Sequence, residues 1–213
     1  MMTQGLMPSF EQEQLLAGQG YRLVAGVDEA GRGALMGPVV AGAVVMPEDF
    51  AAHWLHRVRD SKQLKPAVRE ELFGYIRKEA LSVGTGVVSS RVIDERGILV
   101  ATKLAMKAAI EALSPPPQYL IIDYLMLPEV PLPQKGITGG DSLCFSIACA
   151  SIIAKVTRDR IVCDMERDYP GYGFSRHKGY GTKEHIDCLR RRGPCEQHRR
   201  SFRPVSDVMN GER

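Results

Sequence analysis

Long apolar runs are missing from this sequence. No stretch of the chain approaches the ~20 consecutive apolar positions of a bilayer-spanning helix, which excludes a helical membrane protein. The first residues, MMTQGLMPSFEQEQLL, carry neither the basic nor the apolar stretch of a secretory leader, so an intracellular, cytoplasmic location is expected. Paired cysteines are missing as well. The 5 cysteines, at 144, 149, 163, 188 and 195, are odd in number and include no CxxC. Several sit in apolar or helical stretches, where cysteine behaves as a small hydrophobe, and a disulfide framework is excluded. There is no GK[ST], hence no phosphate loop of the P-loop type. GRGALMG spaces its glycines as GxGxxxG and leads into the strand-like PVVAGAVV, which excludes a dinucleotide-binding turn. Internal repeats and long linkers are absent too.

What remains is an ordinary soluble composition, 44% hydrophobic and 25% charged over 213 residues, enough for one core. Apolar runs bounded by turn residues predict strands over 21–30 and 37–47, antiparallel across a short loop, then over 82–89 and 118–124. Helical periodicity predicts helices over 66–81, a short and a long one within 90–113, a long one over 142–169 and a last one over 183–193. The segment 127–142 reads as a loop with room for a short edge strand, 170–182 as a glycine-aromatic loop, and the end from His198 as irregular. This order predicts an α/β fold, a mixed sheet flanked by helices with a C-terminal helical segment. Three regions are expected: an N-terminal extension (1–20), an α/β domain (21–169) and a C-terminal helical segment (170–213). Charge is unevenly placed. Arg176 to Arg203 holds nine Lys or Arg against three Asp or Glu, while the whole chain nets only +3. A basic end beside an acidic remainder suits a polyanionic partner and a cation-binding centre elsewhere.

Four acids fall at element boundaries. Asp28 and Glu29 end the first strand, Asp123 ends the apolar YLIID, and Asp141 lies in GGDS before the buried helix. Neighbouring strand ends bring such residues together. Clustered carboxylates raise one another's pKa unless a cation relieves them. Hard oxygen ligands select Mg²⁺ or Mn²⁺, and two such ions about 3.5–4 Å apart suit phosphodiester hydrolysis. Adjacent strand residues point to opposite faces, so Asp28 and Glu29 share a site only at the strand's end, where Gly31 and Gly33 supply a turn. Asp141 has a second reading as a helix N-cap. Asp159 reads as a helix-surface ion-pair partner.

Gly31-Arg32-Gly33 exposes main chain, and exposed main chain can meet a ribose 2′-hydroxyl, both donor and acceptor, with Arg32 on a phosphate. In HKGYGT, Tyr180 offers a face to stack on sugar or base and a hydroxyl to donate. His185, Cys188, Cys195 and His198 have zinc-like residue types, but the gap between the pairs is too short for the usual structural pattern. Cys188 instead fits the apolar face of the last helix.

The motifs GVDEAGRGALMGPVVAGAVV, DSKQL, LIIDY, SIACASIIAKVTRDR, YGFSRHKGYGT and HRRSF, taken in order, resemble those of bacterial ribonuclease HII from about Tyr21 to Val205. The resemblance implies a ribonuclease-H-like fold. It implies cleavage of the RNA strand of RNA–DNA hybrids and incision at ribonucleotides embedded in duplex DNA, leaving 5′-phosphate and 3′-hydroxyl ends. It makes Asp28, Glu29, Asp123 and Asp141 catalytic metal ligands for Mn²⁺ or Mg²⁺. It assigns Gly31, Arg32 and Gly33 to the 2′-hydroxyl, Tyr180 to the RNA–DNA junction, and Ser61 and Lys62 to phosphate. A monomer is expected, with contact to a sliding clamp as a further option. Rival readings are a DNA junction resolvase of the same fold and a hybrid-binding protein without activity. The chain departs from the family pattern at Tyr124, where glycine is usual, at Gly140, where lysine is frequent, and in the bulk of SLCFSIACASI.

Overall fold

The structure, a computed structural model, describes residues 7–211; residues 1–6 of the expected extension and 212–213 of the C-terminal segment lie outside the described residues. In chain order the elements are α1 (Glu11–Gly18), β1 (Val24–Ala30), β2 (Val39–Val45), α2 (Pro66–Glu79), β3 (Ser82–Val88), α3 (Ser90–Arg96), α4 (Ile98–Glu111), β4 (Tyr119–Asp123), β5 (Gln134–Ile137), α5 (Gly140–Leu143), α6 (Phe145–Asp168), α7 (Phe174–His177), α8 (Lys183–Arg192) and α9 (Arg203–Met209). The strands form one mixed sheet in the order β3-β2-β1-β4-β5. β1 and β2 pair antiparallel, as their short connection requires, and β4 lies parallel to β1.

Strand parity divides the core. Ala25, Val27, Ala41 and Ala43 pack against Ala101, Ala105 and Ala109 of α4 on one face. Gly26 and Gly42 point to the other, where a Cβ would strike the backbone of Ser146 and Ala150. These glycines let α6 settle directly on the sheet, and α6 is buried continuously from Phe145 to Ala154. That explains its apolar, small-residue first half. Each fully buried Ile or Phe there contributes roughly 1.5–3 kcal/mol.

Three elements differ from the sequence reading. The helix expected over 142–169 is interrupted at Cys144, which is extended (φ −111°, ψ 129°). Ser9 pairs with it: Ser9 N–H donates to the Leu143 carbonyl at 3.0 Å and Phe145 N–H to the Ser9 carbonyl at 2.9 Å. The loop 170–182 contains the single turn α7. The tail expected to be irregular forms α9, because Pro204 suits a first turn and Val205 is buried against Leu35 and Leu189. The described part of the N-terminal extension is built into the core. Phe10 stacks on Phe145 with ring centroids 4.4 Å apart, and Glu13 accepts from the Ser146 N–H and hydroxyl at 2.9 and 2.7 Å.

Candidate active site

Register assembles the acids. Val27 pairs with Ile122 in the parallel β1/β4 ladder, so Asp28 and Asp123 follow side by side at the carboxyl ends of those strands. Asp123 in turn pairs with Ile137 of β5, and only three residues separate Ile137 from Asp141. Three distant segments thus converge at one sheet end.

A cleft of about 590 Å³ opens there. It is lined by Asp28, Glu29, Gly31, Arg32, Gly33, Ser61, Lys62, Asp123 and Tyr180, together with Ala30, Arg69 and Lys155. Asp141 stands beside it, its Oδ2 3.5 Å from the Lys62 Nζ. Asp28 has the parity of Gly26 and faces α6; Glu29 has the parity of Val27. Both reach the cleft because it lies off the end of the strand, which settles the opposite-face problem.

The carboxylates are held by short contacts. Asp28 Oδ1 accepts from the Glu29 N–H at 2.7 Å. Glu29 Oε1 pairs with Arg32 Nη1 at 3.2 Å, while its Oε2 is buried without a partner. Asp123 Oδ1 accepts from the Gly140 N–H at 2.8 Å. Asp141 is not an N-cap: Gly139, left-handed at φ 68°, begins α5, and Asp141 lies buried in the following turn. Ser61 Oγ lies 2.8 Å from Ser151 Oγ, which places the DSK segment against α6.

Electrostatics follow from this crowding. Burial, then the charges of Glu29 and Asp123, push the Asp28 carboxyl well above its ordinary range. Burial raises Glu29 against the pull of Arg32, and raises Asp123, with Asp141 adding to it. Lys62 is drawn down by burial but held above its ordinary value overall by Asp60, Asp141 and Asp28. Among the described residues no three His, Cys, Asp or Glu side chains already close on a single ligation point. The donor set still fits a hard divalent cation: oxygen ligands only, mutually repelling carboxylates, and the unpartnered Glu29 Oε2.

The two glycines of Gly31-Arg32-Gly33 do different work. Gly31 is left-handed (φ 96°), and a Cβ on it would run into the Arg158 guanidinium. A Cβ on Gly33 meets nothing within 4 Å, so nothing inside the protein demands glycine there, and the free space faces the cleft.

Two cations stand over the Tyr180 ring, with Lys155 Nζ 5.0 Å and Arg158 Cζ 5.2 Å from its centroid. Lys155 pairs with Asp159 at 2.7 Å, and Arg69 approaches the same carboxylate at 3.8 Å. Asp159 is therefore an ion-pair partner as expected, but a largely buried one rather than a surface one.

The His/Cys set behind Tyr180 is a hydrogen-bonded chain. Cys195 N–H donates to His198 Nδ1 (3.0 Å), which leaves the His198 proton on Nε2. That proton is donated to His185 Nε2 (3.1 Å), and His185 Nδ1–H donates to the Tyr180 carbonyl (3.0 Å). Cys188 bonds elsewhere, to the Gly171 carbonyl at 3.3 Å. Burial pushes both histidines down to about 4, which keeps them neutral.

Arg69, Lys155, Arg158 and Arg199 were not singled out from sequence. For Arg158 a signal exists: Ala154, Arg158 and Val162 recur at four-residue spacing on the buried face of α6. An arginine in a core stripe requires buried partners.

A mixed sheet with helices on both faces, and acids from neighbouring parallel strand ends, defines the ribonuclease-H-like class. Within it the chain belongs to the ribonuclease HII family, whose description it matches over residues 25–205. It is 52% identical over 206 residues to a ribonuclease HII of Dehalococcoides mccartyi, covering 97% of each chain. Among solved structures it resembles a ribonuclease H2 of Pyrococcus horikoshii (TM-score 0.71, 28% identity, 89% of this chain and 98% of that one). It also resembles the ribonuclease HII solved in complex with PCNA from Archaeoglobus fulgidus (TM-score 0.64, 26% identity, 90% and 89%). No helix among the described residues is long and apolar enough to cross a membrane.

Proposed function

We propose that this protein is an endoribonuclease that cuts the RNA strand of RNA–DNA hybrids and incises at single ribonucleotides in duplex DNA, leaving 5′-phosphate and 3′-hydroxyl ends. The observation that carries the reading is one cleft lined by three carboxylates, the Gly-Arg-Gly turn, the Ser61-Lys62 pair and Tyr180, drawn from four separate stretches of chain. Asp28, Glu29, Asp123 and Asp141 hold Mn²⁺ or Mg²⁺. Bound there, the cation supplies Lewis acidity and neutralises developing charge on phosphate. The side chains do the rest. Arg32 and Lys62 take phosphate oxygens, and the space beside Gly33 admits a ribose edge so that main chain meets its 2′-hydroxyl. Tyr180 presents its ring to the next sugar. The basic 170–213 segment holds the duplex backbone. The protein works as a monomer in the cytoplasm, with clamp contact an additional interaction.

The test is a duplex carrying one ribonucleotide, incubated with and without Mn²⁺. The parent cuts the ribonucleotide-containing strand only with metal, and Asp123→Asn abolishes cutting while retaining the parent's circular dichroism. Near-normal turnover by Asp123→Asn overturns the carboxylate assignment. Cutting of an all-DNA duplex favours a junction nuclease, and tight hybrid binding without cutting favours a binding protein.

A further inference from the structure

Arg158 is fully buried on α6, yet its guanidinium is spent on backbone carbonyls. Nε donates to Pro38 at 3.0 Å, Nη2 to Met36 at 3.1 Å and Nη1 to Lys178 at 3.0 Å. Met36 and Pro38 close the loop that begins with Gly31. Lys178, itself left-handed at φ 52°, lies two residues before Tyr180. The same guanidinium stands over the Tyr180 ring, its Cζ 5.2 Å from the ring centroid, and Gly31 packs against its Nε, where a Cβ would collide. A single planar group therefore touches both stretches that read the substrate.

Burying a cation costs several kcal/mol that carbonyl contacts alone repay poorly, and an apolar side chain of similar volume often stabilises better. Stability is a weak reason for an arginine here. Geometry is a stronger one. The guanidinium fork fixes three acceptors in one plane, which a lysine point charge cannot do.

We propose that Arg158 is a positioning residue that sets the spacing between the Gly31–Gly33 turn and Tyr180, and thereby sets selectivity for a lone ribonucleotide over a continuous hybrid. This rests on the reading of the cleft given above. In a hybrid every nucleotide of the cut strand carries a 2′-hydroxyl, so many registers satisfy the turn. At a lone ribonucleotide the turn and the tyrosine must engage one ribose and its neighbour together, and error in their spacing is felt in full.

The test uses Arg158→Lys and Arg158→Met, each checked by thermal melting, with kcat and KM measured in Mn²⁺ on a single-ribonucleotide duplex and on a hybrid. Arg158→Lys keeps charge and most of the volume, so it answers even where Arg158→Met unfolds. The expected result is a loss of kcat/KM roughly tenfold larger on the lone ribonucleotide than on the hybrid, within the range of coupled contacts. In a Tyr180→Ala background the same lysine substitution leaves the ratio between substrates unchanged. Equal losses on both substrates, or a ratio change that persists without the tyrosine, overturn the proposal. A parent that cuts the lone ribonucleotide isolates that failure from the functional reading. A parent that cuts neither duplex overturns both.

Discussion

The neutral histidine chain makes stability depend on pH in a way that can be isolated. His198 is buried, and its ring pKa is pushed from the ordinary 6.5 down to about 4 by burial and by His185. In the unfolded chain the ring regains its ordinary value. The stability His198 contributes is therefore complete above that value and is lost as pH falls toward about 4. At about pH 7.5 the ring is neutral in both states and contributes almost nothing to pH dependence. At about pH 5 it is protonated only when unfolded, a difference worth about 2 kcal/mol. Asp28, Glu29, Asp123 and Glu13 titrate in the opposite sense, because burial raises them, so the raw profile mixes signs. A difference removes them. Gln at position 198 keeps an N–H for His185 and does not titrate. His198→Gln is less stable than the parent at pH 7.5, and the gap narrows by about 2 kcal/mol at pH 5. The assay is urea unfolding of both proteins at the two pH values with chelator present. A gap that stays constant within about 0.5 kcal/mol refutes the neutral, desolvated His198 and with it the direction of the hydrogen-bond chain.

Two further outcomes follow from the cleft. Gly31→Ala, which combines a left-handed φ with collision on Arg158, lowers stability by about 3 kcal/mol, whereas Gly33→Ala leaves the melting temperature unchanged and weakens binding of a ribonucleotide-containing duplex. Melting curves and a binding titration check both, and equal destabilisation by the two substitutions contradicts the division of labour between the glycines. The carboxylates raised by burial and by one another stabilise the metal-free protein at low pH and lose that contribution as pH rises through their folded values. Mn²⁺ therefore raises the melting temperature more at pH 8 than at pH 5. Asp28→Asn stabilises the metal-free protein at pH 8 and diminishes the Mn²⁺ increment, and an undiminished increment removes Asp28 from the ligand set.

The sheet was legible because its strands are short apolar runs bounded by glycine, proline and polar turns, whereas the parallel pairing of β1 with β4 is seen only in the fold. The meeting of Asp28, Glu29 and Asp123 in one cleft was legible because each stands where an apolar strand runs out. The break at Cys144 was not legible: it depends on pairing with Ser9, a contact between residues far apart in sequence that no local pattern encodes. The same holds for α9, whose Val205 finds its partners on the Gly31 loop and on α8. Arg158 escaped because residue type alone gives an arginine no place in a core. Its position in the buried stripe of α6 carries the information, but only to a reader who weighs helical phase above residue type.

The departures from the family pattern around the acids become intelligible as packing. Glycine at 140 and bulk at 147 go together: a Cβ on Gly140 would lie 2.6 Å from Ile147 Cδ1 and 3.5 Å from Asp123 Oδ1. Ile147 is fully buried among Leu16, Val24, Ile121 and Cys144, so it has nowhere to retreat. A lysine at 140 and an isoleucine at 147 therefore compete for one space, and this chain resolves the competition in favour of the core. The Gly140 N–H still donates to Asp123, so the hydrogen bond that orients the carboxylate survives the exchange. Tyr124 is a separate case. It holds a left-handed φ of 61° and is 64% exposed as a residue, a conformation that glycine adopts freely and tyrosine only at a cost of about 1 kcal/mol or more. The chain turns directly after Asp123, where the Leu125 N–H donates to the Asp123 carbonyl at 2.6 Å. The backbone that aims Asp123 is thus held by the Gly140 contact and by the β4/β5 ladder strongly enough to carry a strained residue beside it.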